Sequence, residues 1–166
     1  MRRHPNVVNL DELEFGTTPK PGPIPFGGQV KRLASSAGAH KLGANWFTVG
    51  AGLSVAPLHA HHNNEEAIFV LHGKGTLQIG EKRVSVRAGD WVSLPAGLEH
   101  AHQLFADQEG PLEYLAISTV NDVDLISYPS SDKLLATVRA PAPLGLRKMF
   151  HLKDGDVDYW EGEGRK

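Results

Sequence analysis

Cysteine is absent from this chain of 166 residues, and no apolar run approaches the ~20 residues that a membrane helix needs. The first absence excludes disulfides and thiolate ligands, so any bound metal must be held by nitrogen and oxygen. Basic residues near the N-terminus precede no apolar segment, which is unlike a secretory signal, so we expect a cytoplasmic protein without a membrane partner. A net charge of −2 gives no reason to expect nucleic acid as a partner.

Turn-forming residues are frequent: 18 glycines and 11 prolines separate short apolar runs. This pattern is typical of an all-β sandwich or barrel, and the length predicts a single domain. Strands are predicted at Gln29–Ala34, Ala44–Val49, Leu53–Pro57, Ala67–Leu71, Thr76–Ile79, Arg83–Arg87, Trp91–Leu94, Ala101–Phe105 and Leu112–Thr119.

The chain divides into three predicted parts. Residues 1–27 form an extended N-terminal arm, because four prolines between positions 17 and 25 remove the N–H groups that helices and central strands require. Residues 28–120 form the barrel. Residues 121–166 form a C-terminal extension that packs on it, with Tyr159 and Trp160 fixing the acidic tail by burial of their rings. One or two helical turns are predicted at Asp11–Phe15 and Ser131–Thr137.

Histidines are concentrated in one region, since six of the nine lie between positions 59 and 102. His59 and His61 share a face if their stretch is extended, because side chains alternate along a strand. Glu66 opens the next predicted strand and can return a carboxylate to the same centre. His100 follows a Pro95-x-Gly97 turn that can direct it back into the barrel. These four side chains are the predicted ligands of one metal ion.

The spacing of these residues resembles the two signature motifs of the cupin superfamily. The matching residues are Gly52…His59-x-His61-(x)4-Glu66-(x)6-Gly73 and Gly89-(x)5-Pro95-x-Gly97-(x)2-His100. The resemblance implies a double-stranded β-helix, or jelly-roll, barrel. Three imidazoles and one carboxylate suit a divalent ion such as iron, manganese, nickel, cobalt or zinc. The tail resembles a group of small bacterial cupins loosely labelled as sugar-phosphate-isomerase-like. Three departures are the position of Gly52, Leu104 in place of a frequent asparagine, and an additional histidine at 102.

Several residues of this region have competing interpretations. Glu65 is the rival carboxylate, although Glu66 has the family spacing, and His62 and His72 are expected to face solvent. His102 is either an acid or base that lines the pocket or a donor that orients another ligand. We take it as the candidate catalytic base, with Glu113 and Tyr114 as alternatives.

Three functions fit the predicted site. The first is a metal-dependent isomerase or epimerase that acts on a sugar or sugar phosphate. The second is an iron-dependent dioxygenase, and the third is a binding or sensing module without turnover. A phosphate would need cationic partners, but Arg83 and Arg87 alternate with valines expected to face the core, which leaves Lys31, Arg32 and Lys41 as conceivable clamps. Because open sheet edges need cover, we expect a homodimer.

Overall fold

The structure, a computed structural model, describes residues 4–17, 26–141, 144–158 and 161. Its strands are β1 (Gly16–Thr17), β2 (Gln29–Arg32), β3 (Leu42–Val49), β4 (Ala60–His61), β5 (Glu66–His72), β6 (Lys74–Ile79), β7 (Lys82–Arg87), β8 (Trp91–Leu94), β9 (His102–Ala106), β10 (Leu112–Thr119), β11 (Val123–Tyr128), β12 (Lys133–Val138) and β13 (Leu146–His151). One α-helix, α1 (Leu33–Ser36), and 3-10 turns at Leu10–Glu12, Leu98–His100, Pro129–Ser131 and Leu152–Asp154 complete the described elements. None of these helices is long and apolar enough to span a bilayer.

The strands form two opposed layers. The first layer is a six-stranded sheet in the order β1-β2-β3-β10-β5-β8. The second layer consists of β7-β6-β9 and β13-β12-β11-β4, joined by an antiparallel bridge between His59 and His102. All pairings between named strands are antiparallel. The architecture is the cupin jelly-roll barrel that the sequence motifs imply.

The hydrophobic core fills the space between the layers. Side chains alternate along β9, where His102, Leu104 and Ala106 are buried and the residues between them are half-buried. Leu112 and Tyr114 of β10 enter the same core from the opposite layer. Since alternation puts every second side chain on one face, His102 shares the inner face with core leucines. The barrel interior therefore continues from a hydrophobic core into the histidine cluster.

The sequence-based strand assignment was wrong in several places. Leu53–Pro57 forms no strand and contains only two isolated bridges, from Ser54 to Phe26 and to Phe105, and α1 replaces the end of the strand predicted at Gln29–Ala34. Ser131–Thr137 is not helical, because β12 occupies most of it and pairs with β11 and β13. Pairing with the preceding and the following strand satisfies the backbone of β12, in an extension whose local sequence shows little alternation.

Two further predictions concern the ends of the chain. The arm contains the 3-10 turn Leu10–Glu12 and β1, which pairs with β2, while residues 18–25 lie outside the described part. Tyr159 and Trp160 are also outside the described residues. The extension is hydrogen-bonded to the barrel through β11, which pairs with β4.

Candidate metal centre

His59 and His61 reach the barrel interior from a short extended segment. Their backbone groups are bonded on both sides: His59 exchanges two backbone hydrogen bonds with His102, and β4 pairs with β11. Ala60, between them, is 1% exposed and faces the other way. Glu66 is the first residue of β5, which lies in the opposite layer. The cluster is thus assembled across the barrel from both sheets.

The ligating atoms of His59, His61 and Glu66 all lie within 4.8 Å of one another, so this group could hold a metal ion. The Nε2 atoms of His59 and His61 are 3.8 Å and 3.6 Å from Oε2 of Glu66. Nε2 of His102 is 3.2 Å from the same oxygen. Ligands about 2.0–2.2 Å from one ion, at tetrahedral or octahedral angles, are roughly 3 to 3.6 Å apart. The observed spacing is close to that range.

Each of the three histidines is oriented by its other ring nitrogen. Nδ1 of His59 lies 2.9 Å from the carbonyl of Pro57, and Nδ1 of His102 lies 3.2 Å from the carbonyl of His100. Nδ1 of His61 is 2.5 Å from Oδ2 of Asp124. Carbonyl and carboxylate oxygens only accept, so each Nδ1 carries the donated proton. In the neutral rings of His59 and His61, Nε2 therefore presents a lone pair, as a metal ligand requires. Nε2 of His102 lies 3.2 Å from Oε2 of Glu66 and becomes a ligand once it no longer donates a proton to that oxygen.

Asp124 is the buried support of this arrangement and was missed by the sequence analysis. It is 2% exposed, and besides His61 it accepts hydrogen bonds from the backbone of Asn63 and Asn64 and the side-chain amide of Asn64. A carboxylate behind a ligating imidazole fixes the ring's tautomer and orientation. The available signal was a pair of aspartates, Asp122 and Asp124, at the start of the extension, and nothing local connects either of them to a histidine more than 60 positions earlier.

At His59 and Glu66, the electrostatic surroundings favour the protonation states that metal binding needs. Burial, followed by the neighbouring His102, lowers the pKa of His59 to about 4, so its ring is neutral. Burial alone would raise the pKa of Glu66, but the hydrogen bond from His102 and the nearby rings outweigh it, and the net pKa is lowered. Burial, together with the charge of Glu66, raises the pKa of the Tyr114 hydroxyl, which therefore stays protonated.

The structure brings together three of the four predicted ligands, and His100 is not among them. His100 ends the 3-10 turn Leu98–His100, and its Nε2 lies 3.8 Å from Glu99 rather than near Glu66. His102 stands where His100 was expected, because β9 begins at His102 and pairs that residue with His59. The turn lies where the spacing predicts it, and in the structure the histidine that follows it on the inner face is His102.

The other residues of this region divide as follows. Glu65 is exposed, and His62 is exposed with Nε2 2.7 Å from Oγ of Ser127. His72 is also exposed. Tyr114 lines the cavity beside the cluster, whereas Glu113 lies on the outer face of β10 near Lys31. Strand alternation therefore leaves Tyr114, and not Glu113, next to the candidate centre.

A cavity of about 120 Å³ extends from the cluster into the barrel. Its walls are mainly apolar and include Phe47, Val55, Ile68, Leu104 and Ala116, and the ring of Phe47 stacks on Tyr114 with centroids 5.2 Å apart. The polar side chains of Ser54 and Gln103 also line it, and both donate to the carbonyl of Ala56. Within the described part of the chain, no lysine or arginine lines this cavity.

The cations considered as phosphate clamps lie elsewhere. Lys31 donates to the carbonyl of Leu10 and covers the ring of Phe15, and Lys41 pairs with Asp122 at 2.8 Å. Arg83 and Arg87 are exposed on β7, as expected. Of the valines between them, Val86 is buried but Val84 is 46% exposed, so the prediction that both face the core was wrong for Val84.

Comparison with known proteins agrees with the fold and the motifs. Residues 45–118 match the family model described as the cupin domain. This match identifies residues 45–118 as a cupin domain, and the candidate metal centre lies within it. No curated protein sequence is significantly similar to this chain.

Solved structures give the same fold. A candidate sugar phosphate isomerase from Acidithiobacillus ferrooxidans is 24% identical, with 92% of this chain and 96% of that protein covered and a TM-score of 0.77. A cupin-superfamily sugar phosphate isomerase from Silicibacter pomeroyi is 20% identical, with 92% and 97% covered and a TM-score of 0.78. The polyketide cyclase RemF from Streptomyces resistomycificus is 19% identical, with 73% and 80% covered and a TM-score of 0.56.

Proposed function

We propose that this cupin is a metal-dependent isomerase or epimerase that acts on a small oxygen-rich molecule of the sugar or sugar phosphate class. The observation that carries the proposal is the convergence of three imidazole Nε2 atoms on the Glu66 carboxylate beside a cavity. Two structures that cover more than 90% of this chain bear the name of sugar phosphate isomerases, which supports this substrate class. A cytoplasmic location stays a prediction.

The proposed ligands are His59, His61, Glu66 and His102. We assign His102 as the fourth ligand rather than as a base, because its Nδ1 is engaged and its Nε2 faces Glu66 as in the other two rings. Three nitrogens and one oxygen suit iron, manganese, cobalt, nickel or zinc. When bound, such an ion supplies a Lewis acid that polarises a carbonyl and acidifies the adjacent C–H or O–H group.

Residues that line the cavity or stand behind the cluster have three further roles. Tyr114, whose pKa is raised by burial, keeps its proton and can donate it to a substrate oxygen near Glu66. The apolar walls, among them Phe47 and Leu104, exclude water around the reacting carbons. Asp124 holds His61 in the tautomer that leaves Nε2 available.

The ligand assignment is tested by metal content and affinity. The full-length protein and the variants His59→Ala, His61→Ala, Glu66→Gln, His102→Ala and His100→Ala are loaded with Co²⁺ and titrated with a chelator. We expect the first four variants to lose tight binding, while His100→Ala keeps the wild-type affinity. If His100→Ala loses the metal and His102→Ala retains it, the assignment is wrong and His102 returns to its predicted role as a base.

The reaction is tested by proton exchange. Aldoses, ketoses and their phosphates are incubated with the loaded protein in D₂O, and deuterium at the carbon next to the carbonyl is followed by NMR. We expect incorporation with the wild type and not with His61→Ala, while His72→Ala, which alters an exposed histidine, serves as the control. A compound that binds but gains no deuterium would instead favour a binding module.

A further inference from the structure

A row of side chains runs from the candidate metal centre across the second sheet. His102 lies opposite His59, and Ala60 lies opposite Ser127, so the antiparallel register brings Tyr128 beside His59. Tyr128 in turn lies opposite Lys133, and Lys133 lies opposite His151. Residues directly opposite in an antiparallel sheet point to the same face. The row is thus a path of side chains on the face that carries the cluster.

The side-chain positions follow this register. The rings of His59 and Tyr128 are stacked at 24° with centroids 6.2 Å apart. Nζ of Lys133 lies 5.7 Å from the centre of the Tyr128 ring. These two distances placed end to end are comparable to the length of an extended phosphorylated sugar of five or six carbons. A molecule chelated at the cluster can therefore reach Lys133 while lying over Tyr128.

The end of the row at Lys133 carries positive charge, in contrast to the cavity. Lys133 is half-buried and has no carboxylate partner within the described residues. Arg147 of β13 belongs to the same sheet face, since it lies opposite Thr137, and its charge acts on the Tyr128 hydroxyl. The barrel cavity, by contrast, is lined by no described lysine or arginine. Within the described residues, an anionic group on the substrate therefore meets Lys133 and Arg147 on this sheet face rather than a cation in the cavity.

We propose that Lys133, with Tyr128 beneath it and His151 next to it, forms a subsite for the anionic end of the substrate, such as a terminal phosphate. This inference rests on the proposed function and refines it, since it gives the substrate a direction. The chelating carbonyl end lies at the cluster and the anionic end lies two strands away. A phosphate accepts charge-assisted hydrogen bonds from an ammonium group, and the aromatic ring beneath covers the carbon chain.

The test uses hydroxamates, which chelate metals through two adjacent oxygens, with the full-length Co²⁺-loaded protein. Acetohydroxamate reports the metal end alone, and 4-phosphoerythronohydroxamate adds a terminal phosphate. A chain of the same length that ends in a carboxylate separates phosphate recognition from recognition of any anion. Binding is followed by the Co²⁺ absorption bands. We expect the phosphorylated probe to bind at least roughly tenfold more tightly than acetohydroxamate. This difference in affinity should decline as the salt concentration rises.

Two lysines on opposite faces of one sheet provide matched variants. Lys133→Met keeps the aliphatic stem and should remove the phosphate advantage, while binding of acetohydroxamate and metal stays unchanged. Lys148→Met alters a lysine that covers Phe150 at 5.4 Å on the other face, and it should retain the advantage.

The outcomes separate the two proposals. Equal binding of both probes by the wild type, or an unchanged phosphate advantage in Lys133→Met, overturns the subsite and leaves the metal site intact. A carboxylate probe that binds as tightly as the phosphate probe supports a subsite that recognises anions in general rather than phosphate in particular. Failure of acetohydroxamate to bind the loaded protein overturns the proposed function, and the subsite with it.

Discussion

Replacing Asp124 with asparagine tests how the C-terminal extension supports the candidate metal centre. The change keeps the size of the side chain but removes the negative charge behind His61. One of the two former acceptor positions becomes an NH₂ group, which then faces either the Nδ1–H of His61 or the N–H groups of the Asn63-Asn64 turn. A donor facing a donor cannot form the hydrogen bond, so either His61 or the turn must shift.

The expected magnitudes follow from these contacts. Loss of a carboxylate that orients a ligating histidine lowers metal affinity by about 10- to 100-fold, which corresponds to about 1.4 to 2.7 kcal/mol. The metal-free protein should lose roughly 1 to 3 kcal/mol of stability, because a buried donor near Asp124 is left without its acceptor. Since bound metal stabilises the folded state by mass action, the increase in Tm on metal addition should also shrink.

Asp122→Asn is the matched control. Asp122 lies two positions away, but it is exposed and pairs with Lys41 on the surface. Its replacement should change stability by no more than about 0.5 kcal/mol and leave metal affinity unaltered. The measurements are chelator competition for affinity, thermal unfolding with and without metal, and ¹⁵N NMR of the imidazoles for the tautomer of His61. Equal metal affinities for Asp124→Asn and Asp122→Asn, with an unchanged His61 tautomer, would refute the orienting role.

Three further outcomes are expected. The pKa of His59 is about 4 in the folded metal-free protein against 6.5 unfolded, so the unfolded chain binds more protons between these values. The contribution of His59 to the free energy of unfolding is therefore fully present above pH 6.5 and falls by about 3 kcal/mol as the pH drops to 4. Denaturant titrations should find a smaller loss of stability over this pH range in His59→Asn. Gly73→Ala, at φ +82 with the backbone of Pro111 against the added Cβ, should destabilise more than Gly89→Ala, at φ +92 in open space; equal Tm losses would contradict the steric argument. The outer face of β11–β13 exposes Val123, Leu125, Leu146 and Phe150, and Val138 lies between Val123 and Leu146. A homodimer through this face should appear in light scattering at micromolar concentration and dissociate in Val138→Glu; a monomeric wild type would contradict the prediction.

Much of the fold could be predicted from patterns within short stretches of the sequence. Turn glycines and alternating strands predicted most of the central barrel, because each strand there has one face in the core and one face outside it. The extension was predicted poorly because this condition is not met there. β13 is exposed along its whole length, so it has no buried face that would impose alternation.

The candidate site shows the same division. The i, i+2 spacing of His59 and His61 and the position of Glu66 at a strand start are local properties, and the structure groups these three residues. The choice between His100 and His102 depended on where the turn after Gly97 ends and β9 begins. That boundary is set by backbone pairing between His59 and His102, which are more than 40 positions apart.

What the sequence by itself determined is the chemistry available: imidazole and carboxylate ligands without thiolates, arranged by turns that fit one barrel. The tertiary structure decided which of two histidines faces Glu66, that Asp124 stands behind His61, and that Lys133 lies in line with His59. Each of these depends on the register between strands distant in the chain. Register is fixed by the packing of whole sheets, because a slip of one residue would turn every side chain to the other face.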